Sequence, residues 1–167
     1  MKLDIKGLAI LALVAGVLAF FLLMPNQGLK SIPANLSVAT VDGETVSLDS
    51  LKGKPYLLTF WATSCSGCVK EIPALQALHQ QHHKDGLRVI GVAMSYDEIP
   101  AIQAMRAQKG MEYTIAYDQT GALAQQFDVR VTPTSFLIDL NGKIAMHRLG
   151  EWDHAELEQK IVELLKG

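Results

Sequence analysis

Residues 56–75 read YLLTFWATSCSGCVKEIPAL, and both cysteines of the chain lie in this stretch. Tyr56 to Ala62 is an almost continuous apolar run of strand length, as in a strand covered on both faces. From Cys65 onward Val69, Ile72, Leu75 and Leu78 recur at helical spacing, which predicts a helix reaching to about Lys84. A buried strand that feeds a helix places Cys65 at the first helical turn, where unpaired backbone N–H groups and the helix dipole favour an anion. Such a site lowers a cysteine pKa from about 8.5 toward the range of about 3.5 to 7.5, and the thiolate is the nucleophile. Cys68, three residues on, shares the helical face and can close a disulfide once Cys65 has attacked a partner.

Working outward, Leu87 to Met94 is a second buried strand, so residues 56–94 form a strand–helix–strand unit. Ile99 to Lys109 reads as helix, Tyr113 to Tyr117 as a short strand and Gly121 to Phe127 as a short helix. Thr134 to Leu140 and Lys143 to Leu149 are strands about Asn141-Gly142, read as a two-residue hairpin turn. The last helix opens at Asp153, whose carboxylate can cap it, and carries Leu157, Ile161, Leu164 and Leu165 on one side. Upstream, Asn35 to Leu48 alternates about Asp42-Gly43, a second hairpin signal. The order predicts an α/β sandwich whose sheet is mixed, because the 141–142 hairpin adds an antiparallel strand.

Gly7 to Met24 is a run of 18 residues without a charge, preceded by Lys2 and Lys6. As a helix it spans about 30 Å, the hydrocarbon thickness of a bilayer. It ends in Phe20-Phe21-Leu22-Leu23-Met24 without a small-x-small cleavage site, so residues 1–24 read as an uncleaved signal anchor, with a cleaved peptide as the alternative. The lysines before the span place the N-terminus in the cytoplasm and the domain outside, in a bacterial periplasm or its Gram-positive equivalent. Residues 25–34 (PNQGLKSIPA) read as a tether, and residues 35–167 as one domain.

The chain has 167 residues, 15 Lys and Arg against 17 Asp and Glu, and a formal charge of −2. This balance excludes a strongly basic nucleic-acid binder, and two cysteines exclude a disulfide-dense scaffold. A zinc site is the competing reading of CxxC, since His79 and His83 follow at near-finger spacing. On one helix, however, His79 would stand about 21 Å from Cys65, whereas zinc bonds are about 2.0 to 2.3 Å. No metal is therefore expected, and His79, His82 and His83 read as a solvated helix end, with His147 and His154 as isolated surface residues.

FWATSCSGC followed by VKEIPAL, with VRVTPTSFLID downstream, resembles the thioredoxin superfamily and within it the membrane-anchored TlpA/ResA-like thiol-disulfide oxidoreductases of the bacterial envelope. The likeness covers about residues 35–167. It implies a thioredoxin-like three-layer sandwich with a mixed central sheet, an N-terminal hairpin, an inserted helix–strand unit near residues 97–117 and one transmembrane helix before it. It implies a helix that bends at Pro73 and a cis-proline at Pro133 facing the disulfide. A cis bond there would turn the chain and leave the Thr132 backbone groups able to pair with an extended peptide beside Cys65. The plainer reading of Pro133 is that it starts a strand.

Glu71 sits three residues after Cys68, so its carboxylate returns to the face of the second thiol, while Thr59 stands where many thioredoxins have a buried acid. The resemblance gives Glu71 a functional role, and the expectation is that it accepts the Cys68 proton. Trp61 matches the first tryptophan of the family's FWAxWC, but Ser64 replaces the second, and Ser66-Gly67 inside the motif lacks a proline. Trp61, Ser64, Ser66, Gly67, Thr132 and Pro133 are the expected substrate-binding wall around the catalytic Cys65, Cys68 and Glu71.

The expected activity is extracytoplasmic thiol-disulfide exchange, reducing disulfides of envelope proteins through the redox-active Cys65-Cys68 pair without any other cofactor. By resemblance, apocytochrome c haem-binding cysteines are the first candidate substrate, implying a role in cytochrome c maturation, and a membrane thiol donor would re-reduce the pair. A thiol oxidant or isomerase is the runner-up within the same chemistry. A copper-handling thiol protein is the alternative of another class. A peroxiredoxin is excluded, because its Pro-x-x-x-Thr/Ser-x-x-Cys pattern would need proline where Trp61 stands.

Overall fold

The computed structural model describes residues 13–16 and 31–166. The expected span over residues 7–24 lies outside the described residues except for helical residues 13–16. Among the described residues no helix is long and apolar enough to cross a membrane.

A hairpin of β1 (Ser37–Ala39) and β2 (Thr45–Ser47) leads through a 3₁₀ turn (Leu48–Leu51) to β3 (Tyr56–Trp61). Then follow α1 (Ser66–His82), β4 (Arg88–Ala93), α2 (Ile99–Lys109), β5 (Thr114–Tyr117), α3 (Ala122–Gln126), β6 (Thr134–Ile138), β7 (Ile144–Leu149) and α4 (His154–Lys166). The main sheet has the order β5-β4-β3-β6-β7. Strands β3, β4 and β5 run parallel, and β6 and β7 join antiparallel, giving the mixed sheet expected. The N-terminal hairpin docks on the β5 edge, where Thr40 bridges Ala116 and Val41 N–H donates to Ile115 C=O at 3.0 Å.

Central strand β3 is buried along its whole length, which is why its sequence shows no polar alternation. Leu57 and Trp61 point to one side, with Ile72, Leu75, Ile102, Leu157 and Ile161 of α1, α2 and α4. Leu58 and Phe60 point to the other, with the hairpin, the 3₁₀ turn and α3. The result is three layers, with α1 held against the sheet so that its N-terminus meets the end of β3.

Two expectations are corrected. The 141–142 turn is not a two-residue loop: β6 ends at Ile138 and β7 begins at Ile144, with a register shift beside Leu137. The Asp139 carboxylate accepts from the N–H groups of Asn141 and Lys143, both at 2.8 Å, and this local pairing competes with the ladder. His82 is not solvated but buried beside Asp85 and Glu158, because α4 packs over the end of α1. Residues of the expected tether touch the β6–β7 turn: Ser31 bridges Lys143, and Ile32 N–H donates to Gly142 C=O at 2.9 Å. Asp153 caps α4 as expected, accepting from Ala155 N–H at 3.0 Å and Glu156 N–H at 3.1 Å.

Candidate active site

Cys65 is the residue that caps α1, with extended backbone, and its Sγ accepts the Cys68 N–H at 3.1 Å. It is joined to Cys68 in a disulfide with a Cα–Cα separation of 5.2 Å. The two sulfurs are not equivalent. Cys65 is half-buried, whereas Cys68 is 3% exposed and belongs to the core. An incoming thiol can therefore reach Cys65 and not Cys68.

The turn between β3 and α1 is fixed from outside the motif. The buried Asp97 carboxylate accepts both the N–H and the Oγ1–H of Thr63, each at 2.8 Å, and Cys65 N–H closes on Ala62 C=O at 3.1 Å. Asp97 lies 34 residues from Thr63, on the loop after β4, and no local pattern in the sequence marks the pairing.

The Thr132-Pro133 peptide bond is cis. Pro133 is buried, and its Cδ stands 3.7 Å from the position a Cβ on Gly67 would occupy, which places the proline against the CxxC turn. Pro133 C=O accepts from Gly150 N–H at 2.8 Å, while Thr132 makes no backbone hydrogen bond among the described residues. Ser64 and Ser66 are exposed and Gly67 is half-exposed at the same surface. Trp61 departs from the expected substrate wall: it is 3% exposed, and its indole lies in the core against the backbone of Gly91, where a Cβ would come within 3.1 Å of Nε1. It supports the site from beneath.

Glu71 is 2% exposed, one helical turn after Cys68 on α1. Its Oε1 accepts Trp152 N–H at 2.6 Å, and Oε2 has no hydrogen-bond partner among the described residues. Burial pushes its pKa above the ordinary carboxylate range, opposed by the Trp152 hydrogen bond and by the positive potential of His154. Thr59, where an acid might have stood, is instead satisfied by Ser135 at 2.8 Å. The Trp152 contact comes from the loop between β7 and α4, and a lone tryptophan before a helix cap is its only trace in the sequence.

A half-exposed sulfur at a helix N-terminus, a buried sulfur behind it, a cis-proline against the pair and a buried carboxylate one turn on define a thioredoxin-fold protein with a redox-active dithiol. The comparisons with known proteins give the branch. The Redoxin family matches residues 27–161. The chain is 30% identical over 130 residues to thiol-disulfide oxidoreductase ResA of Bacillus thuringiensis subsp. konkukian, covering 78% of this chain and 75% of that one. It is 25% identical over 156 residues to sporulation thiol-disulfide oxidoreductase A of Bacillus subtilis, covering 91% and 94%. Among solved structures, the thiol:disulfide interchange protein of Chlorobium tepidum TLS superposes with a TM-score of 0.72 at 29% identity, covering 81% of this chain and 97% of that one. The chain belongs to the Redoxin family, in its TlpA/ResA-like branch, and is a thiol-disulfide oxidoreductase.

Proposed function

We propose that the chain is a membrane-anchored reductant of disulfides in proteins outside the cytoplasm, with Cys65 as nucleophile, Cys68 as resolving thiol and Glu71 as the acceptor of the Cys68 proton. The observation that carries the assignment of roles is the unequal burial of the two sulfurs, with the exposed one at the helix N-terminus. In the reduced protein the N–H that now meets Cys65 Sγ would stabilise a thiolate there. That thiolate attacks one sulfur of a substrate disulfide, a new S–S bond forms, and the other substrate sulfur leaves with the electron pair and takes a proton from water. Cys68 then gives its proton to Glu71 Oε2 and attacks Cys65 Sγ. The mixed disulfide breaks, the second substrate thiol departs, and two electrons have passed to the substrate.

The dithiol is the whole redox group in this reading. The Thr132 backbone groups beside the motif, which make no backbone hydrogen bond among the described residues, suit an extended substrate segment, which would add to them as a strand. The uncharged stretch over residues 7–24 behind Lys2 and Lys6 supports an anchor with the domain outside, where a membrane thiol donor would restore the dithiol. Apocytochrome c cysteines are the first substrate to try, given the likeness to ResA.

The test is the reduction potential of the Cys65-Cys68 pair, set against glutathione. A value near the thioredoxin figure of about −270 mV supports a reductant, and one near the DsbA figure of about −120 mV makes the chain an oxidant or isomerase and removes the cytochrome reading.

A further inference from the structure

Glu151 lies on the loop between β7 and α4 and is exposed. Its Oε1 stands 3.1 Å from the position of a Cβ on Gly67, on the same side as the Pro133 ring. The carboxylate therefore covers the CxxC turn at the mouth of the site, where a larger residue than Gly67 would meet it. The loop is held on both flanks. Arg148 Nε–H donates to Glu151 C=O at 3.0 Å, and the next residue, Trp152, donates its N–H to Glu71. None of the ion pairs among the described residues includes the Glu151 carboxylate. Standard bond and Cα spacings put Oε1 within about 11 Å of the Cys68 sulfur and, one S–S bond further, within about 13 Å of the attacked Cys65 sulfur. Exposed Val131 and Leu149 lie beside Thr134, the residue after Pro133: Thr134 Oγ1–H donates to Val131 C=O at 2.7 Å, and Leu149 pairs with Thr134 across the ladder.

We propose that Glu151 sets the charge preference of the redox site, so that Cys65 exchanges with partners carrying a positive charge beside their reactive sulfur in preference to negatively charged ones. The proposal rests on the exchange reading above and deepens it: the substrate segment presents a lysine or arginine next to its cysteine, with apolar neighbours for Val131 and Leu149. At this range a unit charge changes an encounter rate about twofold at low ionic strength, and salt removes the effect.

The oxidised full chain is mixed separately with cysteamine, 2-mercaptoethanol and glutathione, and loss of the Cys65-Cys68 bond is followed by acid quench and alkylation. In each case the small thiolate attacks Cys65 Sγ, a mixed S–S bond forms, and the Cys65-Cys68 bond breaks. The electron pair goes to Cys68, which is protonated, and a second small thiol releases Cys65. The cysteamine-to-glutathione rate ratio should fall about fourfold in Glu151→Gln at about 10 mM salt, fall further in Glu151→Lys, and become alike in all three proteins at about 500 mM. A ratio that is the same in all three proteins at low salt overturns the proposal. A merely structural role for Glu151 would alter the rates with all three thiols together and leave the ratio in place. A wild-type chain that none of the three thiols reduces would overturn the exchange reading itself.

Discussion

The two faces of the sheet are built from alternate residues of the same strands, yet they differ in kind. Behind β3, Phe60 packs on Phe127 and Phe136 with ring centroids 5.5 and 6.2 Å apart, and Phe127 and Phe136 meet at 5.0 Å. On the side of α1 and α4 the core holds Trp61, Trp152 and Glu71, and the indole N–H of each tryptophan and Glu71 Oε2 are buried without a partner among the described residues. Among the described residues, every such orphaned polar atom lies in or against this second layer, His79 and His82 included. Unmet hydrogen-bonding capacity is costly, so one face is optimised for packing and the other carries polar groups in waiting: Trp61, Trp152 and Glu71 toward the disulfide, and His79 and His82 at the far end of α1.

Phe60→Ala tests the packing face. Phe60 is wholly buried in the aromatic cluster, and its truncation should cost about 3–5 kcal/mol. Urea unfolding of the oxidised protein would measure the loss, and the reduction potential of the folded variant should stay where it is. A shifted potential would mean that the two faces are coupled through the strand.

Glu71→Gln tests the polar face through pH. Because burial raises the folded-state pKa of Glu71, the folded protein holds this proton at pH values where the unfolded chain has released it. Its contribution therefore favours the fold at low pH and is lost as pH rises from the ordinary carboxylate value through the raised one, by about 1.4 kcal/mol for each pH unit that separates the two. Glutamine can still accept Trp152 N–H, so the variant should show a flatter stability–pH curve than wild type. His79, whose pKa is lowered chiefly by burial, contributes with the opposite sign and cancels in the difference between the two proteins. In the reduced protein, the same variant should move the Cys68 titration. Curves that superimpose in both experiments would remove Glu71 from the mechanism.

How far the sequence reveals these faces depends on how local their signals are. The apolar run at 56–62, the CxxC at its end, the helix at 99–109 and the Asp153 cap are all written in neighbouring residues, and each is found where the pattern puts it. Pro133 and Glu71 are reached through resemblance as much as through spacing. What escapes is non-local. Asp97 pins Thr63 across 34 residues, and Trp152 reaches Glu71 across 81. His82 reads as surface until α4 is laid over it, and Trp61 reads as a substrate wall until Gly91 is seen to leave room for its indole in the core. A periodic pattern reports which face of an element is buried but not which distant residue completes a polar pair.

The smallest expected effect probes the join between α4 and the site. Asp153 Oδ1 accepts two N–H groups at the start of α4, and removing such a cap costs about 1 kcal/mol. Asp153 directly follows Trp152, whose amide meets Glu71, so a frayed first turn would loosen the hydrogen bond from Trp152 N–H to Glu71 Oε1. Asp153→Ala should thus lower stability by about that amount and also speed hydrogen exchange at the Trp152 amide, whereas Asp153→Asn, which can still cap, should restore both. The amides of β6 around Phe136 should keep their protection beyond the loss common to the whole fold. Were Trp152 to exchange no faster in the alanine variant than those amides do, the cap would be serving only the helix, and the Glu71 contact would be held by the packing of the buried indole instead.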